Sequence, residues 1–297
     1  MARKETWGFA VRPAHRTFWI SPLFTRATGW IIVPLWLIAM TWLVAHDVWP
    51  NLVAENAPPF KVTDALLEAG RTTQQSIHDD LGVMGYIWTE YILDPNSARR
   101  TDEVFLERLP MPITPLRMTI DSVFTAQGVL DEFTVNMVNP DTKLELHGER
   151  FHSDFSFRLK WETVEKLYKM PLTDGGLISG MVNPFSQLTG LSVGQRWRMQ
   201  VFNPLAVITG LGERFMSVLV EVTGTEVLTV DGQSREYFVV ESPNAKAWVA
   251  ADGAVPLQEV KLPLIGKLRI TRDAEVDDAK RVAATRGRLN RREKVRP

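Results

Sequence analysis

Residues 151–161 read FHSDFSFRLKW and show the most regular alternation in the chain. Phe151, Phe155, Phe157, Leu159 and Trp161 share one parity, and His152, Asp154, Ser156, Arg158 and Lys160 take the other. Successive side chains of a β-strand point to opposite faces of its sheet. The pattern therefore predicts a strand from 151 to 161 with an aromatic face against a core and a polar face in water.

Similar alternating runs occur on both sides of this stretch. They cover residues 74–78, 83–93, 103–109, 116–120, 129–138 and 143–147 upstream, and 196–203, 215–222, 226–230, 235–241, 246–250, 255–262 and 267–271 downstream. Asp231-Gly232 and Asp252-Gly253 separate runs of this kind, and glycine accepts the positive φ that a tight hairpin turn requires. We predict a mainly β fold over residues 71–276, an antiparallel half-barrel or sandwich.

The segment 162–194 is less regular and unusually apolar for a connection. Asp174-Gly175-Gly176 and Asn183-Pro184 are turn signals within it. It is interpreted either as a lid or as a buried crossover, and the second is the more ordinary arrangement for such a connection. A division of the β region into two subdomains near 165–195 stays open.

A second pattern, GWIIVPLWLIAMTWLVAHDVW at residues 29–49, precedes the β region. Residues 27–45 carry no charge, and a helix of that length spans about 28 Å, close to the thickness of a bilayer core. Trp30, Trp36, Trp42 and Trp49 lie within this stretch, and indole rings favour membrane interfaces. We predict a transmembrane helix over 27–49. The alternatives are a buried core helix and a cleaved signal peptide.

The charges that flank this helix predict its orientation. Arg3, Lys4, Arg12, Arg16 and Arg26 precede it, and the next cation is Lys61. Because positive residues favour the cytoplasmic side, we predict a bacterial cytoplasmic (inner) membrane protein with the β domain outside the cytoplasm. The predicted segments are a cytoplasmic basic and aromatic interfacial stretch at 1–26, a linker at 50–70, and a disordered basic tail at 277–297.

Composition excludes several classes of function. The net charge of −1 gives no overall basic field for nucleic acid, and the absence of cysteine excludes disulfides, thiol nucleophiles and Cys-ligated metals. No nucleophile-elbow, phosphate-loop or dinucleotide motif occurs. His147 and His152 are treated as surface residues rather than metal ligands. We therefore expect no enzyme activity, no catalytic residue, no metal and no cofactor.

The stretch AKAWVAADGAVPLQEVKLPLIGKLRITR, residues 245–272, resembles the closing hairpins of bacterial envelope domains of unknown function with a lipoprotein-carrier-like β half-barrel. Similar domains are found beside transglutaminase-like enzymes. The matching residues are Trp248, Val249, Asp252, Gly253, Val255 and Glu259, and the stretches 81–90 and 194–205 resemble the opening hairpin and central strand. The resemblance spans residues 71–272. It implies an apolar concave face able to hold a lipid or acyl chain, and no catalytic residue.

Two functions follow from these observations. In the first, Trp88, Phe151, Phe155, Phe157, Trp161 and Trp197 line a cavity for a lipid-like ligand or a lipidated partner. In the second, the same aromatic residues fill an ordinary core, as alternating aromatics commonly do, and the domain is an interaction subunit of a larger membrane complex such as a transporter. An open apolar groove would favour the first, and a filled core with exposed apolar surface elsewhere would favour the second.

Overall fold

The structure, a computed structural model, describes most of the β region and part of the N-terminal helix. The described residues are 22–44, 58, 72–109, 114–140, 142–152, 154–171, 177–180, 182–185, 188–210, 213–230, 232–262 and 265–286. The predicted interfacial stretch before residue 22, the linker apart from Pro58, and residues 287–297 lie outside them. The chain forms two compact units, Met1–Leu52 and Val53–Pro297.

The first unit contains the helix α1, Pro22–Leu43, which includes Pro34. Its large apolar side chains from residue 32 to 44 are exposed by 40% or more, including Trp36 at 56% and Trp42 at 64%. The side chain of Trp30 and all of Trp49 lie outside the described part of the chain. Within the described residues, none of the helices combines the length and the apolar character needed to cross a bilayer.

In the part of the chain that the structure describes, the second unit is built on one sheet of 15 strands. The strands are β1 Thr72–Asp79, β2 Gly82–Asp94, β3 Ser97–Leu106, β4 Leu116–Thr125, β5 Leu130–Val138, β6 Lys143–Phe151, β7 Asp154–Trp161, β8 Val164–Pro171, β9 Leu177–Gly180, β10 Arg196–Phe202, β11 Phe215–Val230, β12 Gln233–Ser242, β13 Ala245–Val249, β14 Leu257–Leu262 and β15 Gly266–Arg272. Over the described residues, two short helices, α2 Pro204–Thr209 and α3 Asp278–Arg286, accompany them. The prediction of a mainly β, antiparallel fold is confirmed.

Two meanders make up this sheet, β1–β8 and β9–β15, and β1 pairs with β15 to join them. Ile77 lies opposite Ile270 at this junction. The stretch near 165–195 is where the chain passes from the outer strand β8 to the other outer strand β9, both in the same sheet. All neighbouring strands are antiparallel except β9 and β10, which are parallel. Cα atoms of β9 approach those of β5 to within 8 Å, so the sheet curls on itself.

Alternation of burial along the strands follows from this curling. In β4 every second residue is buried, with Leu116, Met118, Ile120 and Phe124 each exposed by 3–4%. The inward side chains of both meanders belong to one hydrophobic cluster, which extends from Ile77 of β1 to Ile270 of β15. The two meanders therefore share one core. They face one another because a single sheet is curved, and they are not two separate sheets.

The strand predicted for residues 151–161 is interrupted by a hairpin turn. Phe151 is the last residue of β6, Asp154 is the first of β7, and His152 in between has a φ of 58°. Phe151 lies opposite Asp154, and directly opposite residues of an antiparallel pair share a face. Phe151 is therefore on the outer face and 69% exposed, whereas Phe155 and Phe157 point inward. The prediction that Phe151 belongs to the inner aromatic face was wrong.

The prediction of a disordered tail from residue 277 was wrong for residues 278–286, which form α3. The helix begins after Asp277, whose Oδ1 accepts a 3.0 Å hydrogen bond from the Lys280 amide. That backbone hydrogen bond lowers the pKa of the Asp277 carboxyl. Arg281 lies 3.2 Å from Glu90 and 3.0 Å from Glu103. Carboxylates on the outer face of β2 and β3 thus hold a segment whose composition by itself suggested a solvated tail.

Candidate functional site

The aromatic residues predicted to line a ligand cavity do not form one open surface. Trp88, Phe155, Phe157 and Trp197 are exposed by 0–1%, and Phe151 by 69%. Trp161 is partly buried and packs against the main core. Trp88 is not part of that core: it lies beside Gln74 on the other face of β2 from Ile87, and its Nε1 donates a 2.8 Å hydrogen bond to Gln74 Oε1.

Phe155 and Phe157 connect the two ends of the curled sheet. Their ring centroids are 4.9 Å apart, and Phe157 lies 4.7 Å from Phe215 of β11. Phe215 in turn lies 5.3 Å from Phe202 of β10. Such contacts between tilted rings are favourable beyond the area they bury. The aromatic stripe thus acts as packing between β7 and the strands β10 and β11.

Part of the connection between β9 and β10, residues 182–185 and 188–189, is buried inside the curled sheet. Val182, Phe185 and Leu188 are 6%, 0% and 3% exposed and belong to the main core. Val182 lines a cavity of about 20 Å³ together with Met118 and Leu262, which come from the two different meanders. Of the two interpretations of this connection, the buried crossover describes its position in the structure.

Three amide side chains hold this interior segment. Gln258 Nε2 donates to Asn183 Oδ1 at 2.6 Å, and Asn183 Nδ2 donates to Gln75 Oε1 at 3.3 Å. Gln75 Nε2 reaches the Val255 carbonyl at 3.4 Å, and Gln258 Oε1 accepts from the Phe185 amide at 3.3 Å. Gln258 is fully buried, so these bonds satisfy polar groups that would otherwise be costly in the core. We call this chain of contacts the amide relay.

Close packing at Gly253 holds the end of the same segment. Gly253 follows Asp252 in the predicted hairpin turn and has a φ of 89°. A Cβ at this position would lie 2.7 Å from the Thr189 Cγ2 and 3.2 Å from the Leu188 carbonyl oxygen. The residue is therefore required twice, once by its backbone conformation and once by the approach of the interior segment.

A second polar group lies on the inner face of β2 and β3, near the amide relay. Asp102 is 2% exposed. Its Oδ1 accepts hydrogen bonds from Thr89 Oγ1 at 2.6 Å and Arg100 Nε at 3.2 Å, and its Oδ2 pairs with the other end of the Arg100 guanidinium. Burial raises the pKa of the neighbouring Tyr91 hydroxyl to about 12, against a smaller lowering by Arg100. The Asp102 carboxylate is thus held by hydrogen bonds, and the Tyr91 hydroxyl stays neutral. Both properties suit a structural role rather than proton transfer.

Sequence reasoning missed this group, although a signal was present. Arg100 and Asp102 share parity with Val104 and Leu106 of the same strand, and the latter two point into the core. When polar residues occupy the alternate positions of a strand that otherwise carry apolar core residues, they indicate a buried polar pair. The cavity beside Tyr91, lined by residues that include Arg272, measures about 20 Å³.

An open groove of about 540 Å³ lies on the outer face of β1, β14 and β15. It is lined by His78, Asp79, Asp80, Glu259, Lys267, Arg269 and Thr271. Lys267 already pairs with Glu259 at 2.9 Å, and Thr271 Oγ1 lies 3.2 Å from His78 Nε2. Charges of both signs are mixed along the groove, so it favours no ligand of one charge.

His78, His147 and His152 lie on strands and a turn of the β domain, and His15 and His46 lie outside the described residues. His147 Nε2 is 2.7 Å from Glu149 on the outer face of β6, and His147 Nδ1 is 3.7 Å from Glu132 of β5. His152 is in the β6–β7 turn, where its ring contacts Phe151. Within the described part of the chain, no three acidic or histidine side chains converge as a metal site would require.

Comparison with known proteins gives two distant structural likenesses. One is a β-barrel-like protein of the DUF1849 domain of unknown function from Brucella abortus, with a TM-score of 0.38 and 8% identity over 68% of this chain and 94% of that one. The other is a DUF1089 family protein from Pseudomonas aeruginosa, with a TM-score of 0.34 and 16% identity over 57% of this chain and 87% of that one. No family model and no curated protein matches the sequence.

Proposed function

We propose that this chain is a membrane-anchored interaction subunit whose β domain binds a membrane protein partner through its outer surface. The observation that carries the proposal is the occupied interior. Residues 182–185 and 188–189 lie where a ligand of a half-barrel would sit, and Phe155, Phe157 and Trp197 belong to the same core at 0% exposure. A core filled in this way leaves binding to the outside of the domain.

Binding of a lipid in the interior would require a large rearrangement. Ligand pockets have volumes of about 300–1,000 Å³. The two cavities beside Val182 and Tyr91 measure about 20 Å³ each. A lipid would have to displace the interior segment, break the amide relay and expose Phe185, which is 0% exposed. A lipid-carrier function is therefore the second candidate.

Support for the anchor comes from α1 and the sequence around it. Ile32, Leu35, Trp36 and Ile38, on different faces of the helix, are exposed by 56–66%. Contiguous exposed apolar surface marks contact with a membrane or a protein. The uncharged run 27–45 is long enough for a bilayer core when helical, at about 1.5 Å per residue. The proposed location is the bacterial inner membrane, with the β domain outside the cytoplasm.

The anchor is tested by extraction of membranes at alkaline pH. We expect the full chain to remain with the membrane pellet, and the variant Leu35→Arg/Ile38→Arg to move to the soluble fraction because a charge in the bilayer is costly. The matched control is Leu81→Arg/Val227→Arg, two exposed positions of the β domain at 82% and 69% exposure. Release of the unaltered chain would refute the anchor.

The interaction function is tested by native mass spectrometry of the full chain, isolated in mild detergent from its own host. We expect the chain to carry a membrane protein at fixed stoichiometry. A bound lipid of defined mass, with no membrane protein, would replace this proposal by the lipid-carrier function.

A further inference from the structure

The strand β8, Val164–Pro171, is an outer strand of the sheet and pairs with β7 on one side. Among the described residues, no strand pairs with its other side. Residues 164–167 are all exposed, with Leu167 at 74% and Val164 at 43%. A free edge presents a row of unpaired backbone donors and acceptors, which is a template for another strand.

The sequence of β8, VEKLYKMP, is self-complementary when it is paired antiparallel about Leu167. In that register Leu167 lies opposite Leu167 of the second copy and Glu165 lies opposite its Lys169. On the other face Lys166 lies opposite Tyr168, where an ammonium over an aromatic ring is attractive. Opposite charges directly across a pair of strands are also stabilising.

We propose that β8 pairs antiparallel with β8 of a second copy of this chain, which joins the two sheets into one continuous sheet across a two-fold axis at Leu167. Isologous contacts of this kind are the commonest way in which identical chains form dimers. The contact also explains why a large apolar side chain such as Leu167 stays exposed on an edge strand.

Other registers of the same pairing are less favourable. A shift centred on Lys166 places two ammonium groups opposite each other, and a shift centred on Tyr168 places Leu167 opposite Lys169. Lysine on an edge strand normally discourages pairing. In the register centred on Leu167, however, Lys169 of each copy faces Glu165 of the other, so the same charges select one register.

Glu165 is left available to a second copy, whereas Tyr168 is engaged by its own domain. Glu165 lies 3.4 Å from Arg158 of β7 and keeps 56% of its side chain exposed, so a second cation can approach it. Tyr168 is fixed from the inner side, where it accepts a hydrogen bond from Arg214 and its ring centroid lies 6.0 Å from that of Phe215. The strand is thus held in place by its own domain, and among the described strands none pairs with its outer edge.

Site-specific crosslinking tests the position of the axis. Directly opposite Cα atoms of an antiparallel pair are about 4.5–5.5 Å apart, within the range of about 4.4–6.8 Å that a disulfide spans. The full chain with Leu167→Cys in mild detergent is expected to form a covalent dimer on oxidation, reversed by reductant. The control is Leu81→Cys, which is 82% exposed in a turn away from β8. Equal crosslinking of the two variants would overturn the proposal.

Charge exchange tests the register. Glu165→Lys alone or Lys169→Glu alone places like charges opposite each other, and we expect each to weaken the dimer at least about tenfold, the equivalent of 1.4 kcal/mol. The double variant Glu165→Lys/Lys169→Glu restores the opposite charges and the dimer. Sedimentation velocity of the full chain in density-matched detergent measures the association. A wild-type chain that stays monomeric, or a double variant no better than the single ones, would refute the pairing.

The dimer does not depend on the proposed membrane partner. Sedimentation and crosslinking detect it with the purified chain alone, whereas the partner is detected with material from the host. A purified chain that stays monomeric therefore leaves the interaction function intact, and absence of a membrane partner leaves the β8 pairing intact.

Discussion

Gln258 of β14 donates a 2.6 Å hydrogen bond from Nε2 to Oδ1 of Asn183, and its own Oε1 accepts from the Phe185 amide. One side chain from the second meander thus binds the segment that fills the interior of the sheet at two points. Because Gln258 is 0% exposed, water cannot replace either bond without a rearrangement of the core. The contact is accordingly sensitive to substitution.

We predict that Gln258→Ala destabilises the domain by about 1–3 kcal/mol, since its hydrogen bonds with Asn183 Oδ1 and the Phe185 amide are lost inside the core. Urea unfolding followed by tryptophan fluorescence measures the change in the free energy of unfolding. The matched control is Gln233→Ala, at an exposed position at the start of β12, which we expect to change stability by less than about 0.5 kcal/mol. Equal effects of the two substitutions would show that the relay contributes nothing to stability.

Gly148→Ala is expected to destabilise the domain by about 1–3 kcal/mol through overpacking. A Cβ at Gly148 would lie 2.6 Å from ring atoms of both Phe155 and Phe157, and these rings are confined by the contacts with Phe215. Gly224→Ala is the control, because a Cβ at that strand position meets nothing within 4 Å. The same urea experiment compares them. A neutral Gly148→Ala would mean that the aromatic packing relaxes freely.

We predict that the domain loses stability at alkaline pH because Tyr91 is buried. Burial raises the pKa of its hydroxyl from 10.0 to about 12. The unfolded chain therefore releases this proton before the folded chain does. Stability from this group is complete below pH ~10 and falls as the pH rises toward about 12, by roughly 2–3 kcal/mol in total. Unfolding of the wild type and of Tyr91→Phe between pH 8 and 12 measures the effect, and the variant should show a shallower decline. Parallel curves would contradict the prediction.

Arg281 is predicted to hold α3 on the sheet. Its guanidinium contacts Glu90 at 3.2 Å and Glu103 at 3.0 Å. Arg281→Ala removes both contacts, and we expect faster amide hydrogen exchange in residues 278–286, by a factor of about 2–5 given the modest strength of partly exposed ion pairs. The control is Lys267→Ala, which removes the pair with Glu259 on β14. Exchange in α3 that is unchanged by Arg281→Ala would show that other contacts hold the helix.

The strands and hairpins could be predicted from the sequence because they depend on the alternation and turn residues of neighbouring positions. Alternation such as Leu116, Met118 and Ile120 needs only one buried face, and Asp252-Gly253 needs only a local positive φ. The turn at His152 could not be predicted, because a non-glycine residue takes the positive φ there and the alternation of apolar and polar residues continues through it. The parallel pairing of β9 and β10 could not be predicted from the local sequence pattern either.

The position of the interior segment could not be predicted from sequence. An apolar connection with Val182, Phe185 and Leu188 is compatible with a lid or with a buried crossover, and only pairing across more than a hundred residues separates them. The bond between Asn183 and Gln75, 108 positions apart, is an example of such a contact. Similarly, the composition of residues 278–286 suggested a solvated tail, and the carboxylates of Glu90 and Glu103 that bind it belong to distant strands.

The sequence by itself thus determined an uncharged apolar run near the N-terminus, a mainly antiparallel β domain, and the absence of any cysteine chemistry. Tertiary structure alone decided which aromatic residues are core, that Phe151 is outside and Trp88 is on the opposite face, and that the chain occupies its own interior. The physical reason is one of range: periodicity and turn conformation are set by neighbouring residues, whereas the occupant of a core depends on which distant surfaces the closed sheet brings together.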